Sequence, residues 1–218
     1  MLFGAIDYLN LLPFQIFLKK YIKNSGLLLG MSKHRNVPSK INIAFKKRRI
    51  NAAFISSVTT SRCKCTDVGI VAKGRVYSVL VKEGSEKIDE ASNTSNALAK
   101  LLDVRGEVVI GDKALKEYLS GSIVTDLSLE WHKITKLPFV FARLCYHGKK
   151  EFTKKLSSSF VNQKIFIPQY ILKKEAKRRD IKPNDVRWYL KHIKYRLDNK
   201  AKKSLKIFLT KAKRAKLI

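Results

Sequence analysis

Acidic residues are scarce in this chain of 218 residues: 17 Asp and Glu stand against 46 Lys and Arg, a formal net charge of +29. Cysteine is scarcer still. Cys63, Cys65 and Cys145 make an odd count, which argues against a disulfide framework and for a reducing compartment. Cys63-x-Cys65 has half the spacing of a metal site, but the histidines (His34, His132, His147 and His192) are scattered and complete no cluster, so no metal is expected. There is no glycine-rich phosphate loop, which removes the usual nucleotide cofactors. No apolar run reaches the ~18 residues a bilayer span needs. The apolar N-terminus lacks a basic leader and is interrupted by Asp7, Asn10 and Pro13, unlike a secretory signal. A cytoplasmic protein with no membrane association is the expectation.

What is present is a core. Hydrophobic residues make up 45% of the chain, too many for a disordered basic protein, and the length suits one large domain or two small lobes. The charge is uneven: residues 149–218 hold 23 Lys and Arg against five Asp and Glu, a net of +18. Such a third could face nucleic acid or acidic lipid, or reflect a basic proteome.

Residues 1–17, MLFGAIDYLNLLPFQIF, carry the densest local signal. An apolar strand (Leu2 to Ile6) runs into Asp7-Tyr8-Leu9-Asn10. A helix then follows, with Pro13 in its first turn and Phe14, Phe17, Leu18, Tyr21 and Ile22 at i, i+3, i+4, i+7 and i+8. Asn10 therefore sits on a strand-to-helix turn beside free helix amides. That place suits an anionic small molecule, or simply a helix cap.

Further on, strands are expected at Lys40–Phe45, Ala52–Ser56, Val68–Val71 and Val76–Val81, with a short helix or turn at Val58–Cys63. A polar loop over 84–93 leads through Thr94-Ser95 into a helix. Val108–Ile110 is a buried strand ending in Gly111-Asp112, Ala114–Leu119 a helix, and Leu137–Ala142 apolar and extended. Alternating strands and helices indicate an α/β fold. Beyond about residue 150 the pattern reads as purely helical. Helices start near Pro168 and Pro183, one stripe runs through Val186, Leu190, Ile193 and Leu197, and another runs through Leu205, Phe208, Leu209 and Ala212 after a break at Asp198-Asn199.

These pieces, in order, resemble the chorismate dehydratases of the futalosine route to menaquinone. Gly4-Ala5-Ile6-Asp7-Tyr8-Leu9-Asn10-Leu11-Leu12-Pro13-Phe14 looks like that family's opening strand and turn. Ala53-Phe54-Ile55-Ser56-Ser57 is similar to its A-L-I-P-S segment, with Ser56 in place of the usual proline. Lys73-Gly74-Arg75-Val76-Tyr77-Ser78-Val79 resembles its S-x-G-x-V-x-S-V strand, and Ser92–Leu98 its S-x-T-S-x-x-L helix start. Val109–Leu115, Asp126-Leu127-x-x-Glu130-Trp131 and Leu137–Ala142 are the most specific matches. The sister naphthoate-forming enzyme opens with a Cys-Pro-Asn-Asp turn that is absent here.

The resemblance implies a two-lobed type II periplasmic-binding-protein-like fold with a helical C-terminal return. Residues 1–74 plus 143–218 would form lobe 1, residues 75–142 lobe 2, and the cleft would lie between them. It implies loss of water from chorismate without metal or other cofactor, and it maps the family's functional pair to Asn10 and Ser78. Thr94, Ser95 and Ser57 lie at helix starts, where they would hold substrate carboxylates or act as ordinary caps. Asp112 and Asp126 read as structural or hinge residues. The competing readings are a small-anion binding protein of the same fold without catalysis, and nucleic-acid binding by the basic helices over 168–216, whose lysines surround the helices rather than line one face. No oligomeric state is specified.

Overall fold

The computed structural model describes residues 1–22 and 35–218; His34 lies outside them. Two antiparallel sheets organise the chain. The larger has the order β3 (Ala52–Ser56), β8 (Phe139–Tyr146), β4 (Cys65–Ala72), β9 (Lys194–Arg196). The smaller has the order β6 (Glu107–Ile110), β5 (Val79–Lys82), β7 (Val124–Asp126). A short parallel pair, β1 (Ala5–Ile6) with β2 (Arg35–Asn36), lies at the edge of the first sheet, where Gly4 N donates to Ala52 O at 2.8 Å. Strand β3 is buried along its whole length, as an apolar run between covered faces should be.

Helix α1 (Leu12–Tyr21) starts on Pro13 and buries Phe14, Phe17 and Leu18. The Phe14 ring meets Phe54 of β3 edge-on at 5.0 Å and Phe160 of the C-terminal return at the same distance. Such contacts between the first helix, β3 and a late helix explain why the N-terminus is core. The second sheet carries α3 (Asn93–Leu101) and α4 (Gly111–Leu119). The last helix, α9 (Asn199–Arg214), is capped by Asp198, whose carboxylate accepts from Ala201 N at 2.8 Å. It buries Ala201, Leu205, Phe208 and Ala212 against β8, and Trp131 of α5 (Leu127–Thr135) donates its indole N–H to Ser204 at 2.9 Å.

Four sequence expectations are corrected. Residues Pro38–Lys46 form helix α2, not a strand: Ile41, Ile43 and Phe45 alternate like a strand, but Pro38 starts a helix and only Ile41 and Phe45, one turn apart, are buried, while Ile43 is 49% exposed. The return is not purely helical, because Lys194–Arg196 leaves the end of α8 (Pro183–Leu190) to pair with β4. The strand expected from Val76 begins only at Val79. Cys65 and Cys145 face each other across β4 and β8 and are joined as a disulfide with Cα atoms 3.8 Å apart; Cys63 is free. An odd count forbids only complete pairing, so the argument from it to a reducing compartment falls. No helix among the described residues is long and apolar enough to cross a membrane.

Candidate active site

The opening strand ends at Ile6, and Leu9–Leu11 makes a single 3-10 turn before α1. The N-cap of α1 is Leu11, and no side chain caps it, so Asn10 is not a helix cap. Its backbone carbonyl accepts the Tyr195 hydroxyl at 2.7 Å, which fixes the turn from the side of β9.

Ser78 reaches the same place by a strained route. Tyr77, just before it, has φ +62°, and the Asp126 carboxylate takes the amides of Val76 and Tyr77 at 2.9 and 2.7 Å on one oxygen. The other oxygen caps α5 through Ser128 and Leu129 at 3.0 and 3.1 Å. Amides committed to a carboxylate cannot enter a ladder, which is why β5 starts late. The aromatic ring of Tyr77 is held by Tyr118, Trp188 and His192, with centroids 4.5–4.8 Å away. Gly111 N then donates to the Ser78 carbonyl at 2.8 Å, and Tyr189 donates its hydroxyl to Ser78 Oγ at the same distance.

Both side chains line one cavity of about 60 Å³, with Tyr8, Ser56, Ser92, Ser95, Phe54, Ile110, Gly111 and Phe141 among the other walls. It draws on both sheets. Among the described residues, no Asp, Glu, Lys, Arg or His lines it. Burial pushes the Tyr8 phenol well above its ordinary value, with Asp89 and Asp112 adding to the shift, so it stays neutral. Among the described residues, hydroxyls, one carboxamide and hydrocarbon form its walls.

Ser95 is brought to the cavity together with Ser92, the N-cap of α3. The two hydroxyls lie 2.8 Å apart, and Ser92 Oγ accepts from Ser95 N at 3.2 Å. Among the described residues, the amides of Asn93 and Thr94 have no hydrogen-bond partner. Thr94 and Ser57 stand behind the wall. Thr94 Oγ1 accepts from Val58 N at 3.3 Å, joining α3 to the 3-10 helix 57–62, and Ser57 donates to Val140 O at 2.5 Å. Sequence reasoning missed Tyr8, Ser56, Ser92 and Tyr189. A polar-tipped aromatic on the apolar stripe of α8 was the available signal for Tyr189.

A charged cluster clamps the outside. Asp112 accepts from Leu9 N at 2.9 Å and pairs with Arg179, which also meets Glu175 and, at 3.1 Å, Asp7. Arg178 grips Asp7 with two bonds of 2.6 Å. Arginine hydrogen bonding holds the Asp7 carboxyl below its ordinary value, whereas burial pushes Asp112 up. Cys63 donates to Thr59 O, and Cys65 is spent on Cys145.

A family model described as menaquinone biosynthesis matches residues 1–107 and 93–214. A chorismate dehydratase of Campylobacter jejuni is 48% identical over 98% of both chains. The chain belongs to the chorismate dehydratase family. A second member, from Thermus thermophilus, is 25% identical over 94% of this chain and 92% of its own. In fold the chain matches a protein from Archaeoglobus fulgidus (TM-score 0.70, 13% identity, covering 99% of this chain and 97% of that one). It also matches the periplasmic aliphatic sulphonate binding protein of Escherichia coli (TM-score 0.56, 11% identity, covering 100% and 88%). The fold is the periplasmic-binding-protein-like one that the motifs implied.

Proposed function

We propose that this chain dehydrates chorismate to 3-[(1-carboxyvinyl)oxy]benzoate and water, in the cytoplasm and on the futalosine route to menaquinone, with Asn10 and Ser78 as its functional pair. The chain is a hydro-lyase by family. The observation that carries the residue assignment is a cavity that holds both side chains and, among the described residues, is lined by no charged group. An amide does not titrate near neutral pH, and a neutral buried phenol is a poor base. The enolpyruvyl carboxylate of the substrate is then the group that removes the ring proton. The ring C–H electrons enter the ring as the C–O bond to the hydroxyl breaks, and the carboxyl proton passes to the leaving oxygen. Water departs, the carboxylate is restored and the ring becomes aromatic, with no net oxidation. Asn10 orients the ether side chain, and Ser78 hydrogen-bonds the leaving hydroxyl.

We take residues 1–74 with 143–218 as one lobe and 75–142 as the other. In support, the smaller sheet is built wholly from the second range. A cavity of about 60 Å³ is far below the roughly 300–1,000 Å³ of ligand sites, so this reading has the lobes part to admit substrate. Ser95, with Ser92 and the open amides of α3, would receive one carboxylate, and Thr94 and Ser57 would brace that wall. The +29 charge would draw in the dianion.

The test is purified protein with chorismate and no added cofactor, followed by the appearance of the aromatic enol ether. Asn10→Ala and Ser78→Ala should each lower turnover by at least ~10²-fold, as losses of positioning and transition-state hydrogen bonding do. Stoichiometric binding without product would instead favour an anion-binding protein of the same fold.

A further inference from the structure

One short stretch of the C-terminal return grips both members of the pair from behind. Tyr189, in the last turn of α8, is 1% exposed and gives its hydroxyl hydrogen to Ser78 Oγ at 2.8 Å. Tyr195, on β9, gives its hydrogen to the Asn10 carbonyl at 2.7 Å. The Asn10 side chain also faces the Tyr189 hydroxyl, and burial keeps that phenol protonated far past its ordinary range.

The direction of these bonds matters. A serine hydroxyl that accepts from a phenol keeps its own hydrogen to give. With the Ser78 carbonyl already taken by Gly111 N and its Oγ taken by Tyr189, the remaining hydrogen has the cavity as its outlet. An unsupported serine would rotate among staggered wells and spend part of its time presenting a lone pair to the leaving oxygen.

We propose that Tyr189 is a positioning residue that sets the polarity of Ser78, holding it as a donor toward the leaving hydroxyl, while Tyr195 fixes the Asn10 turn in register with it. This rests on the assignment of Asn10 and Ser78 as the functional pair. The phenol transfers no proton; it orders a hydrogen bond that strengthens as negative charge gathers on the departing oxygen.

The experiment compares Tyr189→Phe, Ser78→Ala and the double variant in the full chain with chorismate. Tyr189→Phe should lower kcat by about 10–100-fold, as loss of one oriented donor does, with KM changed by less than about threefold because ground-state binding is untouched. In the Ser78→Ala background the same change should cost nothing further. Parental kcat in Tyr189→Phe, or a loss that persists in full without Ser78, overturns the proposal. Collapse of Ser78→Ala beside a normal Tyr189→Phe removes only the relay; a normal Ser78→Ala removes the site assignment and the relay with it. If Tyr189→Phe does not fold, a polyfluorinated tyrosine at 189 carries the test. Its readily ionised phenol should introduce an alkaline fall in kcat that the parent lacks, and an unchanged profile overturns the relay.

Discussion

Gly111→Ala is the sharpest probe of how the two halves meet. Gly111 has φ +66°, and a Cβ built there falls 2.7 Å from Tyr8 Cε1, 2.8 Å from Cζ and 2.9 Å from Cδ1. The left-handed backbone costs an L-residue about 1–2 kcal/mol, and overpacking a tight contact adds about 1–3 kcal/mol. A central figure of about 3 kcal/mol converts to a fall in Tm of roughly 6–12 °C at this chain length. The Tyr8 ring must retreat, and it is a wall of the cavity, so KM for chorismate should rise as well. Thermal unfolding followed by circular dichroism gives the first number and steady-state kinetics the second. The decisive comparison is Gly111→Ala in a Tyr8→Ala background. There the steric part vanishes, and the penalty should shrink to the backbone part, about 1–2 kcal/mol. An equal penalty in both backgrounds would refute the packing argument.

Two further perturbations test the supports around the pair. Asp126→Asn leaves one oxygen and places an amide against two of the four amides it now receives; unfolding in urea should show a loss of about 2–4 kcal/mol, and kcat should fall because Val76 and Tyr77 aim Ser78. For Asp7→Asn the sign follows from a carboxyl held below its ordinary 3.8 by hydrogen bonding to Arg178: that stabilisation is present above pH 3.8 and is lost as pH falls through the lowered folded value. The variant should therefore melt below the parent at pH 6, and the gap should close under acid; a gap independent of pH would show that the ion pair contributes nothing.

Much of the fold was legible because local signals agreed with the global one. Pro13, the 3.6-residue stripe after it and the buried run Ala52–Ser56 each had one reading, and the structure keeps all three. Where two periodicities fit, the sequence could not choose. Ile41, Ile43 and Phe45 fit a strand, but Ile41 and Phe45 alone also fit one face of a helix, and the burial of that pair decides. β9 was invisible because three residues with one half-buried side chain become a strand only beside β4. The disulfide was hidden for the same reason: 80 residues separate Cys65 from Cys145, and only the register of β4 with β8 sets them opposite. The ordered motifs did point to Asn10 and Ser78 as neighbours. What aims Ser78 lies far off in sequence, in Gly111, Asp126 and a tyrosine 111 residues away. No window of sequence contains that arrangement.

Among the described residues the cavity lining is neutral, at first sight odd in so basic a protein, yet the proposed chemistry asks for it. If the substrate carboxylate acts as base, as proposed, a guanidinium or ammonium against it would stabilise its anion and lower its basicity. Hydroxyls, a carboxamide and helix amides hold and orient a carboxylate with partial charges only, so the group keeps more of its proton affinity while its rotation is frozen. The arginines near the site are consistent with this. Arg178 and Arg179 are committed to Asp7, Asp112 and Glu175, outside the cavity wall, where they clamp the opening turn rather than touch a ligand. On the same proposal the excess cationic charge works at a distance through the field that gathers anions, and the described lining, without a charged side chain, leaves the substrate to bring its own base.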